Sequence, residues 1–241
     1  MKILEDMISS LDFNVTVRDI RQGVFHTGVL TRNCGLAATI PRDALKQEPP
    51  LVREAGLLMD KSVSELARMA FSERILEAAI GMATINSLLE VNEESCLDLN
   101  AHYLIEDKGK GKRVAIVGHF PFIPKLRESA KELWVIEKNP RNGDFSEDEA
   151  NELIPKADVV GITGTALTNH TMEKLLELCD PAAYVVVLGD SAPLLPVLFD
   201  YGVDAISGTK VTNSDIALRY VSQGANFRQI KGIRKLTMIK K

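Results

Sequence analysis

Val114-Ala115-Ile116-Val117-Gly118-His119 opens the rhythm that decides the fold. Runs of the same kind recur at Leu133-Trp134-Val135-Ile136, Val159-Val160-Gly161-Ile162, Val185-Val186-Val187-Leu188 and Ala205-Ile206-Ser207, with helical segments between them near 125–131, 147–153, 172–178, 194–200 and 215–223. Continuous apolar strands alternating with helices predict a parallel sheet covered on both faces. The fold class is α/β, with a Rossmann-like, doubly wound C-terminal half. In such sheets ligands bind outside the carboxyl ends of the strands, where strand order reverses, so the loops after each run carry the functional candidates.

Upstream of Val114 the pattern differs. Residues 15–20 alternate as Val-Thr-Val-Arg-Asp-Ile, and β-rich segments follow at 23–31 and 34–40, separated by the polar pairs Arg21-Gln22 and Arg32-Asn33. This predicts a three-stranded antiparallel meander. Past Pro49-Pro50, Ser62-Val63-Ser64-Glu65 is a capping box that starts a helix over 66–71, and a second helix is expected over 73–89. Strands first and helices afterwards make this smaller half α+β. Glu106-Asp107-Lys108-Gly109-Lys110-Gly111-Lys112 reads as an exposed connection, which divides the chain into domains at 1–108 and 109–241.

Charge and composition narrow the function. The 241 residues carry 29 Lys and Arg against 33 Asp and Glu, a net charge of −4, which does not fit a protein whose main task is coating nucleic acid. By halves the balance is −5 for 1–110, from 12 basic and 17 acidic residues, and +1 for 111–241, from 17 and 16. Cys34, Cys96 and Cys179 are odd in number and far apart, so no disulfide framework is expected. No apolar run approaches the roughly 20 residues of a membrane span. A cytoplasmic protein without a membrane or nucleic-acid partner is the expectation. The tail 228–241 has six basic and no acidic residues, with apolar residues between them, and reads as a final edge strand guarded by lysines.

At the strand ends, Gly118 lets a ligand approach the backbone, and His119, beside Phe120 and Pro121, has the acid/base range for catalysis. Glu137 closes the second run, 19 residues after Gly118, near the spacing at which an acid binds ribose hydroxyls. Thr163-Gly164-Thr165 with Thr168 and Asn169 offers hydroxyls at a helix start, either Thr168 or Asn169 serving as N-cap. Gly189-Asp190-Ser191-Ala192-Pro193 repeats the theme, with Ser191 expected as N-cap and Pro193 in the first turn. Gly208 and Lys210 close the last loop. A lone Gly118 weakens a nicotinamide dehydrogenase, and the chain has neither a Gly-x-Ser-x-Gly elbow nor a P-loop. His26, His102, His119 and His170 show no metal-ligand spacing, so no metal ligands are assigned, nor is a cofactor.

Taken in order, the Gly118-His119-Phe120-Pro121 loop, Glu137, Thr163-Gly164-Thr165 with Thr168-Asn169, Gly189-Asp190-Ser191-Ala192-Pro193 and the stretch from Gly202 to Gly208 resemble the putative heavy-metal chelation family. The resemblance spans nearly the whole chain. It implies an enolase N-terminal-like domain before the Rossmann-like one, with a small-molecule site between them for condensing, hydrolysing or binding a pterin-, flavin- or siderophore-like metal chelator. Asn86 resembles a family position facing that cleft, although Ser87 stands where alanine is expected. Glu137 and Asn169 would hydrogen-bond the ligand, amides near Gly118 and Ser191 would hold an anionic part, and His119 or Asp190 would transfer protons. The alternatives are a non-catalytic metal or metal-chelate carrier and a methyltransferase-like enzyme using S-adenosylmethionine. The partner is a small molecule, with self-association left open.

Overall fold

A computed structural model describes residues 1–39 and 49–241. The chain begins with helix α1 (Lys2–Ser9), which the sequence reading did not anticipate, and it buries Ile3, Leu4, Met7 and Ile8 along one face. Strands β1 (Asp19–Gln22), β2 (His26–Leu30) and β3 (Cys34–Ala38) then form the expected antiparallel meander, in the order β1-β2-β3. The first strand is displaced. Arg21 and Gln22 pair with Gly28 and Thr27, and the turn comes at 23–25, because Gly23 can donate to the His26 carbonyl where a Cβ would lie 2.1 Å from the Val221 carbonyl oxygen. Ile40, the expected end of the third strand, lies outside the described residues.

The capping box is present: Ser62 and Glu65 bond each other's backbone ahead of α2 (Val63–Arg68). Helix α3 (Ile75–Leu88) packs against α2, the meander and the 3-10 turn Met69–Phe71, and Gly81 admits that turn, since a Cβ there would stand 1.9 Å from the Ala70 nitrogen. Within α3, Glu77 is buried. Burial alone would raise its carboxyl, but bonds from Arg53 and Ser72 outweigh that and bring it down to about 2.

Strand β4 (Cys96–Leu97) and helix α4 (Ala101–Gly109) precede β5 (Arg113–Val117), α5 (Ile123–Ser129), β6 (Glu132–Glu137), β7 (Phe145–Ser146), α6 (Ala150–Leu153), β8 (Val159–Thr163), α7 (Thr165–Thr168), α8 (Met172–Glu177), β9 (Tyr184–Leu188), β10 (Ala205–Val211), α9 (Ser214–Ser222) and β11 (Ile233–Ile239). The eight-stranded sheet runs β4-β11-β10-β9-β8-β5-β6-β7. From β10 to β7 all neighbours are parallel, as the apolar rhythm requires, and the order reverses between β5 and β8. The expected helix over 194–200 is a 3-10 helix, Pro196–Tyr201, closed by Gly202 in the left-handed region.

Two expectations fail here. The basic tail is not an edge strand: β11 lies inside the sheet, between β10 and the two-residue β4, and Glu93 beside β4 bonds both Lys210 and Arg234. Nor is 106–112 wholly an exposed connection. Helix α4 extends through Gly109, which is buried because its missing Cβ leaves room for Val114; Asp107, Lys108 and residues 110–112 are exposed, but the first two belong to the helix. Ala101, Leu104 and Ile105 share a core with Val114 and Ile116, so the large sheet draws on the chain from Cys96 onward.

Candidate functional site

The loop after β9 is held by the meander and α3. Asp190 accepts from Nε2 of His26 on β2, and Ser191 Oγ accepts from the Ala38 amide at 2.8 Å. Asn86 on α3 donates through Nδ2 to the Leu36 carbonyl at 2.8 Å and reaches the Ser191 carbonyl at 3.5 Å. Ser191 is therefore no N-cap. The next helix is capped by Leu195, four residues on, and residues 192–195 with Pro193 run as an irregular buried strap instead of a first turn. The strap explains two glycines. A Cβ on Gly164 would lie 2.4 Å from the Ala192 nitrogen, and one on Gly208 2.5 Å from the Ala192 oxygen, so both residues admit backbone across the strand ends. Gly189 turns the chain with φ +119° and donates to the Ser207 carbonyl.

Beside this strap lies a small cleft, open to solvent, with about 30 Å³ of free volume. Asn33, Cys34 and Asn86 line it from the meander side, with Leu194, Thr209 and Lys210 opposite. The second half of the Asn86 amide is unmatched: Oδ1 is buried and has no hydrogen-bond partner among the described residues. A buried acceptor without a donor costs about 1–3 kcal/mol, so this atom calls for a donor from water or a ligand. Cys34 adds a protonated thiol, since burial pushes it up to about 12. Lys210 has its charge met by Glu93.

The candidates after β5 and β6 form a second group. Gly118, with φ +108°, donates to the Ile136 carbonyl, and a Cβ there would press on Phe120 and Thr163 at 3.1 Å. Phe120 stacks on Phe122 at 5.3 Å, Pro121 is exposed, and Glu137 is half-buried at its strand end. His119 Nδ1 lies 3.4 Å from the buried carboxylate of Asp144. Thr163 and Thr165 join hydroxyls at 2.9 Å. His119 and Asp190 follow strands two places apart, about 10 Å at the usual strand spacing. Neither Thr168 nor Asn169 is an N-cap. Thr168 ends α7 with a buried hydroxyl that has no partner among the described residues, and Asn169 Oδ1 accepts from Thr171, which caps α8.

Sequence reasoning missed His26, Asp144 and the strained His170. His170 is the one non-glycine residue with positive φ among those described, and its Nε2 donates to the Ala70 carbonyl at 2.7 Å. Placing a histidine opposite residue 190 requires knowing how the meander docks. The alternation of the strand could only have marked His26 as inward-facing. No three or more His, Cys, Asp or Glu side chains among the described residues are placed to hold a metal ion together, so a bare ion has no fitting donor set in this part of the molecule. Among the described residues no helix is long and apolar enough to cross a membrane.

The fold and site thus define a doubly wound α/β protein whose strand-end loop is clamped by an antiparallel meander. Family models described as "Putative heavy-metal chelation" match residues 4–89 and 100–240, and the chain belongs to that family. Two crystal structures of family proteins of unknown function superpose along its length. One, from Desulfitobacterium hafniense, has a TM-score of 0.88 at 27% identity, covering 99% of this chain and 98% of that one. The other, from Pyrococcus horikoshii, has a TM-score of 0.85 at 23% identity with the same coverage. An uncharacterized protein of Methanocaldococcus jannaschii is 30% identical over 191 residues, 74% of this chain and 72% of its own length.

Proposed function

We propose that the chain binds a small, polar, heterocyclic metal chelator or its metal complex in the cleft between the meander and the β9–β10 loops. The metal would arrive as cargo, held by the ligand. The observation that carries this reading is Asn86, which lines a cleft shared by both halves and whose buried Oδ1 has no donor among the described residues. An N–H or O–H of the ligand would meet it, while the strap and Leu194 cover the apolar side. Asp190, in the loop next to the cleft, is the proton-transfer group, at a strand end where doubly wound sheets bind ligands; His119, two strands away, is the alternative for a ligand that extends across the strand ends. Condensation or hydrolysis of the chelator is the matching reaction class. In this reading the two units meet near residues 90–95, earlier than 108, because β4 and α4 pack with the large sheet.

Native mass spectrometry of the full chain, incubated with a small-molecule cell extract, tests the reading. The expected spectrum shows an organic adduct with a metal isotope pattern, reduced at least tenfold in Asn86→Leu. An adduct with the mass of a metal ion alone would favour the plain metal-binding reading. No adduct of either kind would contradict both. Following the adduct's mass over hours separates turnover from carriage.

A further inference from the structure

The structure assigns His26 as the positioning residue of Asp190, so that the proton-handling group of the proposed site is a pair built from one residue of each half. His26 is 4% exposed, and both of its ring nitrogens face acceptors: Nδ1 the Ala225 carbonyl at 3.4 Å, Nε2 the Asp190 carboxylate. A carbonyl oxygen cannot donate, so the assignment includes a proton on Nδ1 and a second one shared between Nε2 and Asp190 Oδ2. The pair therefore holds two protons. Phe227 lies beside the ring at 5.9 Å between centroids, and Lys235 Nζ sits over the Phe227 ring, 5.0 Å from its centroid.

Asp190 faces outward by contrast. Its side chain keeps 15% exposure, and Oδ1 takes no hydrogen bond from any described residue. One oxygen is thus fixed by a buried imidazole and the other is left to a ligand, the arrangement by which a histidine and a carboxylate orient each other at reaction sites. When a ligand heteroatom takes a proton from the pair, neutral His26 with Nδ1–H and ionised Asp190 remain, and water restores the proton. Neither residue alone has this property. Asp190 without His26 is an ordinary strand-end carboxylate, and His26 without Asp190 has only its carbonyl contact.

This assignment rests on the proposed site, yet its test needs no ligand, so each can fail separately. Long-range proton–nitrogen spectra of the labelled full chain at pH 7 report which ring nitrogens carry protons, with His26 identified by the signal that His26→Gln removes. The expected wild-type ring has protons on both nitrogens. Asp190→Ala is expected to lose the Nε2 proton while Nδ1 keeps its own, with Asp190→Glu restoring the wild-type pattern. A wild-type ring with a bare Nδ1, or a pattern unchanged in Asp190→Ala, overturns the assignment. The wild-type spectrum decides the first point even if a variant does not fold.

Discussion

The two sides of the strand-end surface are built differently. After β9, the loop is gripped from outside the sheet by His26, Ala38 and Asn86, and its glycine neighbours at 164 and 208 exist to admit it. After β5 and β6, Gly118, His119 and Glu137 answer mainly to their own strands and to the buried Asp144. A glycine in a strand-end loop is therefore no sign of a ligand by itself. On one side it makes room for backbone, on the other it makes a turn.

Substitutions should separate the two sides. Gly164→Ala drives a Cβ into the strap backbone and is expected to cost about 3 kcal/mol or more, whereas Gly118→Ala meets only side chains and a positive φ, for about 1–2 kcal/mol. Chemical denaturation of both variants checks the order; equal losses would break the comparison.

Acid should act first on the meander side. Glu77 lies well below its unfolded value near 4.5, at about 2, so its contribution is present in full above about 5 and disappears as pH falls through 2. The difference corresponds to about 3 kcal/mol. Asp158, bound by Arg113 in the large sheet and also brought down to about 2, is over a third exposed and contributes less after screening. Urea midpoints between pH 6 and 3 should fall for the wild type and much less for Glu77→Gln.

Smaller effects sharpen the picture. Ser191→Ala leaves the Ala38 amide without its acceptor and should cost about 1–2 kcal/mol. His119→Ala, on the open side, should change stability by less than about 0.5 kcal/mol, as surface substitutions do. A larger loss in thermal unfolding would show that the Asp144 contact holds the fold.

The large sheet was legible because its strands are apolar throughout, a signal that needs no knowledge of neighbours. Helix α1 was missed because eight residues with a Met cap give little more than Ile3, Leu4, Met7 and Ile8 on one face. The edge-strand reading of 228–241 failed because the covering strand, Cys96–Leu97, is two residues long. Of the residues singled out, Asn86 on α3 and Asp190 after β9 come to the same loop, whereas His26 was not singled out, since its meaning depends on a contact 164 residues away in sequence. Ser191 was singled out for the wrong reason. Its hydroxyl serves a strand of the meander, and caps cannot be told from such bonds by residue type alone.

The most direct measurement is a crystal structure of the chain loaded from a small-molecule extract, with data collected at the absorption edge of the metal found by mass spectrometry. The account predicts organic density in the cleft, a donor against Asn86 Oδ1, and the anomalous peak coordinated by the ligand. A metal peak held by three protein side chains, or density that leaves Asn86 Oδ1 bare, would contradict it.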